Sequence, residues 1–300
     1  MGTATRAAYG HVLKTEVYKN PNVVVLEADL GNATKSNAFK EVAPERYFNM
    51  GISEQDLIGT AAGFAAAGKI PLASTFAVFA TGRAFEQVRN SVCYPKLNVK
   101  ICATHAGLTV GADGGSHQAI EDISLMRTLP NMTVINPADA KEAEAAVLAA
   151  IDYQGPVYIR LGRAETKDIH DDSYHFEWGK ADVSIFATGI MTAKALDAAE
   201  TLAKQGIQAE VINVHTIKPL DEETVIASAK KTGKVVTAEE HSIIGGLGSA
   251  VAEVLARQCP TKQAFVGVQD SFGESGSPND LLEKYGLTTE AIVKAAVGLQ

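Results

Sequence analysis

The segment His105-Ala-Gly-Leu-Thr-Val-Gly-Ala-Asp113-Gly-Gly-Ser-His117 gathers two histidines and an aspartate within thirteen residues. Histidine titrates near neutrality and can carry a proton, and a carboxylate accepts hydrogen bonds from hydroxyls. Threaded through glycines, these side chains read as a site on a loop of unusual backbone. Metal ligation is the competing use of such residues, but their spacing follows no familiar zinc pattern. Upstream, Arg46-Tyr-Phe-Asn-Met-Gly-Ile-Ser-Glu54-Gln puts a glutamate at the start of a predicted helix. Taken alone, that glutamate is an ordinary first-turn residue stabilised by the helix dipole. Ser74-Thr-Phe76-Ala-Val-Phe79 carries two rings that suit either a core or a stack against a planar ligand. Arg6 and Arg163 carry guanidinium groups, which can donate charge-assisted hydrogen bonds to anions or carboxylates. A solvated helix position for Arg6 and a salt bridge at Arg163 are the plainer alternatives.

These residues need a scaffold. Val23-Val-Val-Leu26 runs into Glu27-Ala-Asp29, the pattern of a buried parallel strand with polar residues at its carboxyl end. Ligands of open α/β sheets gather at such ends. Residues 3–18 have helical spacing and stop at Asn20-Pro21, and Gly31 to Pro44 reads as loop. The pattern then predicts helix 53–68, capped by Ser53 and closed by Gly68, strand 70–76, helix 82–92 and strand 99–105. Past the glycine loop come helix 119–128, strand 133–135, an alanine-rich helix over 138–152 and strand 157–160. Residues 164–181 are polar and break the rhythm. A second alternation follows, with strands at 183–186, 209–214, 234–238 and 264–268 and helices at 191–205, 221–231 and 249–258. The expected fold class is α/β, in two domains with largely parallel sheets: 1–164, a linker over 165–181, and 182–300.

Length and composition agree with that division. The chain has 300 residues, 46% of them hydrophobic and 21% charged, which suits two globular domains. A net charge of −8 leaves no basic excess to neutralise a phosphate backbone, so no nucleic-acid partner is expected, while local basic sites for one small phosphate stay open. There is no apolar h-region at the N-terminus and no bilayer-spanning stretch, so no membrane association and a cytoplasmic location are expected. Cys93, Cys102 and Cys259 are widely spaced without a CxxC and read as small core residues.

The run from Arg46 to Gln55 resembles the pyrimidine-domain signature of transketolases. The resemblance implies a pyrimidine-binding domain followed by a transketolase C-terminal domain, with thiamine diphosphate as cofactor. By that match Glu54 binds N1′ of the aminopyrimidine. Proton exchange there lets the 4′-amino group become an imine that takes the thiazolium C2 proton. Phe76 and Phe79 fall in a run similar to the family's, which sets aromatic faces against the pyrimidine. The family often has a tyrosine three residues after the second ring, where this chain has Gly82. The segment from Arg83 to Val88 looks more like deoxyxylulose-phosphate synthases and 2-oxoacid dehydrogenase β subunits, and Phe85 is the candidate to replace the missing ring. The His105–His117 run is similar to that of transketolases. It implies a catalytic His117 on the cofactor-bound two-carbon fragment, Asp113 on a sugar hydroxyl and His105 on the substrate phosphate. Histidine at 105, where deoxyxylulose-phosphate synthases usually have aspartate, points to transketolase. Arg6, Arg163 and Ser36 complete a phosphate clamp by the same resemblance, although Ser36 lies further from Ala28-Asp29-Leu30 than in the family. Ala187-Thr-Gly, Ile217-Lys-Pro-Leu-Asp221 and Glu239-Glu-His241 through Gly248 resemble marks of the C-terminal domain, which carries no catalytic role in the family. There the turn Gly245-Gly-Leu-Gly248 is able to seat an anion, and His241 reads as an interface or structural residue.

The Gly-Asp-Gly motif that holds Mg²⁺ (or Ca²⁺) and the diphosphate in the family does not occur. The resemblance therefore implies a partner, an N-terminal transketolase subunit carrying the diphosphate-binding domain. A full pyrimidine domain starting at Met1 favours a split gene, and an α₂β₂ assembly is the expectation. The implied activity is transfer of a two-carbon ketol unit between sugar phosphates, as in the pentose phosphate pathway. Rival readings are deoxyxylulose-phosphate synthesis, a 2-oxoacid dehydrogenase β subunit, or a non-catalytic partner-binding homologue.

Overall fold

A computed structural model describes residues 2–171, 174 and 185–299. Helix α1 (Thr5–Thr15) precedes strand β1 (Val23–Glu27), whose five residues are all buried. Val23 and Val25 join one apolar cluster while Val24 and Leu26 join another, because successive strand side chains point to opposite faces. Both faces of the sheet are thus covered, as parallel strands require.

The segment expected to be loop instead holds two short helices, α2 (Gly31–Thr34) and α3 (Asn37–Lys40), before β2 (Tyr47–Asn49). Helix α4 (Glu54–Ala66) begins where expected, but Ser53 does not cap it. The Ser53 hydroxyl turns back and donates to the Met50 carbonyl at 2.6 Å. Strand β3 (Ile70–Phe76) leads into wide π-type turns at Phe79–Arg83 and Val88–Cys93, with the short α5 (Phe85–Gln87) between them. The helix predicted over 82–92 therefore starts earlier and is wound more loosely. Then come β4 (Lys100–Thr104), α6 (Asp122–Thr128), β5 (Thr133–Ile135), α7 (Ala140–Asp152) and β6 (Val157–Arg160).

The strand predicted from 183 begins outside the described residues, as does much of the 165–181 linker, and its described part is β7 (Phe186–Ala187). After α8 (Met191–Lys204) the strand expected over 209–214 shrinks to β8 (Ile212–Asn213). Next is β9 (Thr216–Lys218), which no sequence pattern announced. It pairs antiparallel with β5 and so closes the edge of the first sheet, whose order is β2-β1-β3-β4-β6-β5-β9. Pro219, which has no N–H to donate, ends this edge strand. A short stretch of the second half is thus built into the first sheet. Helix α9 (Glu222–Thr232), β10 (Lys234–Ser242), α10 (Leu247–Gln258) and β11 (Lys262–Val268) complete a second parallel sheet of order β11-β10-β7-β8. The chain does not end on β11, because α11 (Pro278–Lys284) and α12 (Thr289–Val297) follow. Cys93 and Cys102 are buried and Cys259 half-buried, all as free thiols. Among the described residues no helix is long and apolar enough to cross a membrane.

Candidate functional site

Register places the site. Phe76, at the end of β3, lies beside Thr104, at the end of β4, so the following residue, His105, arrives next to the phenylalanine. His105 has a left-handed backbone, φ 58°, uncommon outside glycine. Its ring stacks on Phe76 with centroids 3.8 Å apart. Phe79 stacks beside Phe76 at 6.0 Å, and His117 stands edge-on to Phe79 at 5.4 Å. The Arg83 guanidinium covers Phe79 at 4.6 Å, and its Nη1 donates to Glu54 Oε2 at 2.8 Å. Glu54 itself is buried at the start of α4. Contacts therefore run unbroken from Glu54 through Arg83, Phe79 and Phe76 to His105 and His117. Phe85 is not part of this chain: it packs against the main core, and no ring contact joins it to Phe76 or Phe79 among the described residues.

The other end of the site is cationic. Arg6 Nη1 donates to the Ala33 carbonyl at 2.8 Å and meets His105 Nε2 at 3.2 Å. An arginine can only donate, so His105 Nε2 accepts and the ring proton sits on Nδ1, donating to Thr104 Oγ1 at 2.8 Å. Burial, then the charges of Arg6, Arg163, His117 and Lys35, pushes the His105 pKa down to about 3, which keeps the ring neutral. Burial and the Arg163 charge likewise lower the pKa of Arg6. Arg163 donates to the Val110 carbonyl and reaches Asp113 Oδ2 at 3.3 Å. The structure thus brings Arg6, His105, Asp113 and Arg163 together. Ser36, three residues on from the Ala33 carbonyl that accepts from Arg6, is fully buried, and its hydroxyl accepts from Thr34 Oγ1 at 3.0 Å.

Sequence reasoning missed or left incomplete three features. Arg83 gave no signal as a partner of Glu54, since their meeting depends on how the π-type turn presents the side chain. Glu27 is buried, and burial raises its pKa while its Oε2 accepts from Leu30 N–H at 2.6 Å. It faces a cleft of about 590 Å³ shared with Asp29, Asn32, Tyr47 and Asn49. The polar end of β1 did signal that cleft. Third, the Gly245–Gly248 turn is filled by the carboxyl of the chain's own Glu239, whose pKa burial raises. That carboxylate accepts from Leu247 N–H at 2.7 Å and Gly248 N–H at 2.8 Å. His241 is buried beside it and joins the two halves, donating from Nδ1 to the Ser242 carbonyl at 2.7 Å and accepting at Nε2 from Ser124 N–H at 3.3 Å.

Fold and site define a two-sheet α/β protein that presents a buried carboxyl, an aromatic shelf and a cationic seat at the carboxyl ends of parallel strands. Residues 1–168 match the family model of the transketolase pyrimidine binding domain, and residues 176–292 match that of the transketolase C-terminal domain. A Methanocaldococcus jannaschii protein named for the C-terminal section of a transketolase is 48% identical over 299 residues, covering 96% of this chain and 94% of that one. The 6-deoxy-6-sulfo-D-fructose transketolase subunit SqwH of Clostridium sp. (strain MSTE9) is 48% identical over 298 residues, covering 97% and 92%. A solved split gene transketolase, an inactive β4 tetramer, is 54% identical with a TM-score of 0.91, covering 100% of this chain and 98% of that one. This chain belongs to the transketolase family and, within it, to the split C-terminal subunits. Membership of that family implies thiamine diphosphate binding.

Proposed function

We propose that this chain is the C-terminal subunit of a thiamine-diphosphate-dependent transketolase, moving a two-carbon ketol unit from a ketose to an aldose phosphate. A partner subunit supplies the diphosphate-binding domain and Mg²⁺, in an α₂β₂ assembly. Residues 1–164 serve as the pyrimidine unit and 182–300 as the C-terminal unit. The observation that carries this reading is the unbroken line from the Glu54 carboxyl, over two phenylalanine rings, to the Arg6–His105 seat.

The residues present fit an aminopyrimidine, which offers a ring nitrogen to a carboxyl and a planar face to an aromatic ring. Thiamine diphosphate, when bound, supplies the carbanion-stabilising chemistry. Glu54 holds and exchanges the proton at N1′. Phe76 and Phe79 orient the ring, a stack that contributes roughly 0.5–1.5 kcal/mol beyond buried area. His117 moves a proton at the substrate oxygen, and Asp113 accepts from a sugar hydroxyl. Arg6 and Arg163, with a neutral His105 between them, receive the terminal anion. Arg83 then has to leave Glu54. Half its side chain is exposed, so water receives the guanidinium at little cost. On the outer face of α4, a Cβ at Gly59 or Gly63 would meet nothing within 4 Å, and Ile52 just before the helix is 78% exposed. Bare backbone and an apolar side chain beside Glu54 suit a partner subunit closing over it.

The test mixes the chain with its diphosphate-domain partner and follows ketol transfer from a ketose phosphate. Glu54→Ala is expected to cut the rate by about 10²–10⁴-fold; a mixture that keeps its activity refutes the role given to Glu54. Pyruvate as donor tests the deoxyxylulose-phosphate and 2-oxoacid readings. A second substrate reading rests on the Clostridium relative, named for 6-deoxy-6-sulfo-D-fructose. Two guanidinium groups read charge and oxygen geometry, which a sulfonate shares with a phosphate. Comparing kcat/KM for the two ketoses decides between them.

A further inference from the structure

We infer that the second α/β unit acts on the chemistry by moulding the His105–His117 loop, with Glu240 as the positioning residue; this rests on the function proposed above. Glu240 lies on β10 and is buried, as is Thr109, 131 residues away in sequence. Its Oε1 accepts from Thr109 N–H at 2.7 Å. The same carboxylate fills the space beside Gly107, where a Cβ would come within 2.3 Å of it. Arg160 Nη2 donates to the Glu240 carbonyl at 3.0 Å, which ties this point of β10 to the first sheet.

The rest of the loop is held in the same manner. A Cβ at Gly114 would lie 2.5 Å from Ser275 Oγ, and one at Gly115 2.6 Å from the Gly273 carbonyl oxygen. At Gly111 the nearest atom is the Gly276 carbonyl oxygen, 3.3 Å away. Gln118 Nε2 donates to the Glu274 carbonyl at 2.9 Å and the Leu108 carbonyl at 3.1 Å. Every glycine of the 107–115 stretch thus faces an atom of the second unit. These glycines serve close approach and unusual backbone, with φ 79° at Gly107, 81° at Gly111 and 77° at Gly114. Asp113 and His117 ride on this stretch. Where they stand depends on Glu240 and on residues 273–276, none of which touches the line from Glu54 to Arg6.

The test pairs amide hydrogen exchange with kinetics in the full chain mixed with its partner. Glu240→Ala is expected to speed exchange across 107–118 by about tenfold or more, the loss of one buried hydrogen bond. Exchange across 54–66 stays as in the unmutated chain. KM for the ketose rises about tenfold with a smaller fall in kcat, because binding groups lose their places. Glu240→Gln, whose carbonyl still accepts from Thr109 N–H, is expected to stay within about threefold on both measures. Should Glu240→Ala fail to fold, Gln118→Leu cuts the other tie and is expected to loosen the same segment. Unchanged exchange at 107–118, or faster exchange with unchanged KM and kcat, overturns the inference, as does a Gln variant no better than Ala. An unmutated mixture without ketol transfer sinks the functional reading and the kinetic part with it, whereas the exchange result alone judges the clamp.

Discussion

Asp122 and Arg160 meet with both side chains out of water, whereas Arg83, which pairs with Glu54, keeps half of its side chain exposed. The buried pair sits in a network of further hydrogen bonds. Asp122 Oδ2 accepts from Arg160 Nε at 2.7 Å and from the Tyr158 hydroxyl at 2.6 Å. Arg160 Nη2 also reaches the Ala119 carbonyl at 3.1 Å. Burial by itself would raise the Asp122 pKa, but the Arg160 charge and the hydrogen bonds from Arg160 and Tyr158 outweigh it and hold the carboxyl below its ordinary range. Glu54, by contrast, has the Arg83 guanidinium as its hydrogen-bond partner among the described residues. Removing one ion from the first pair strands a charge that has no water. In the second pair only the guanidinium has water: removing Glu54 frees a half-exposed Arg83, whereas Glu54, buried, needs Arg83 or a ligand. The chemical pair is the same, yet one is closed for stability and the other left open for exchange.

The largest expected effect tests the closed pair. Asp122→Ala should cost about 3–5 kcal/mol, read from urea unfolding, because Arg160 is left buried and uncompensated. A loss under about 1 kcal/mol would erase the distinction. The cationic seat comes next. His105 titrates at about 3 in the folded chain and near 6.5 when unfolded. The unfolded chain therefore takes up that proton first as the pH falls. This contribution to stability is complete above about pH 6.5 and is lost progressively down to about pH 3. His105→Asn should flatten the stability–pH slope in that window, measured by denaturant titration at several pH values; an unchanged slope would mean that other groups set the acid limit. The smallest effect belongs to Glu54→Gln, which leaves the half-exposed Arg83 guanidinium to water and is expected to shift stability by at most about 1 kcal/mol in a thermal melt. A loss of about 3 kcal/mol or more would mark the Glu54 pair as structural, like its buried counterpart.

Much of the scaffold was legible along the chain. Strands β3, β5 and β6 fall where the apolar and β-branched runs placed them, since parallel strands buried on both faces leave a continuous signal. Helix α4 was legible too, but not its capping: a serine before a helix is a strong pattern, and whether its hydroxyl serves the helix depends on where the Met50 carbonyl lies. Strand β9 escaped notice because three residues on a sheet edge owe their conformation to β5 and carry no periodicity of their own. Phe85 and Ser36 were placed by likeness of motif; in the fold Phe85 packs against the main core and the Ser36 hydroxyl accepts from Thr34.

Residue types and their spacing determined by themselves that the chain alternates strand and helix, and that a carboxyl, two rings and a loop with two histidines stand at strand ends. These follow from local rules, the two-residue and 3.6-residue repeats and the backbone freedom of glycine. Only the tertiary structure decided the partners: Arg83 for Glu54, Glu239 in the glycine turn, and Glu240 against the loop 131 residues before it. A hydrogen bond acts over about 3 Å, and which groups come that close is set by how sheets and helices pack.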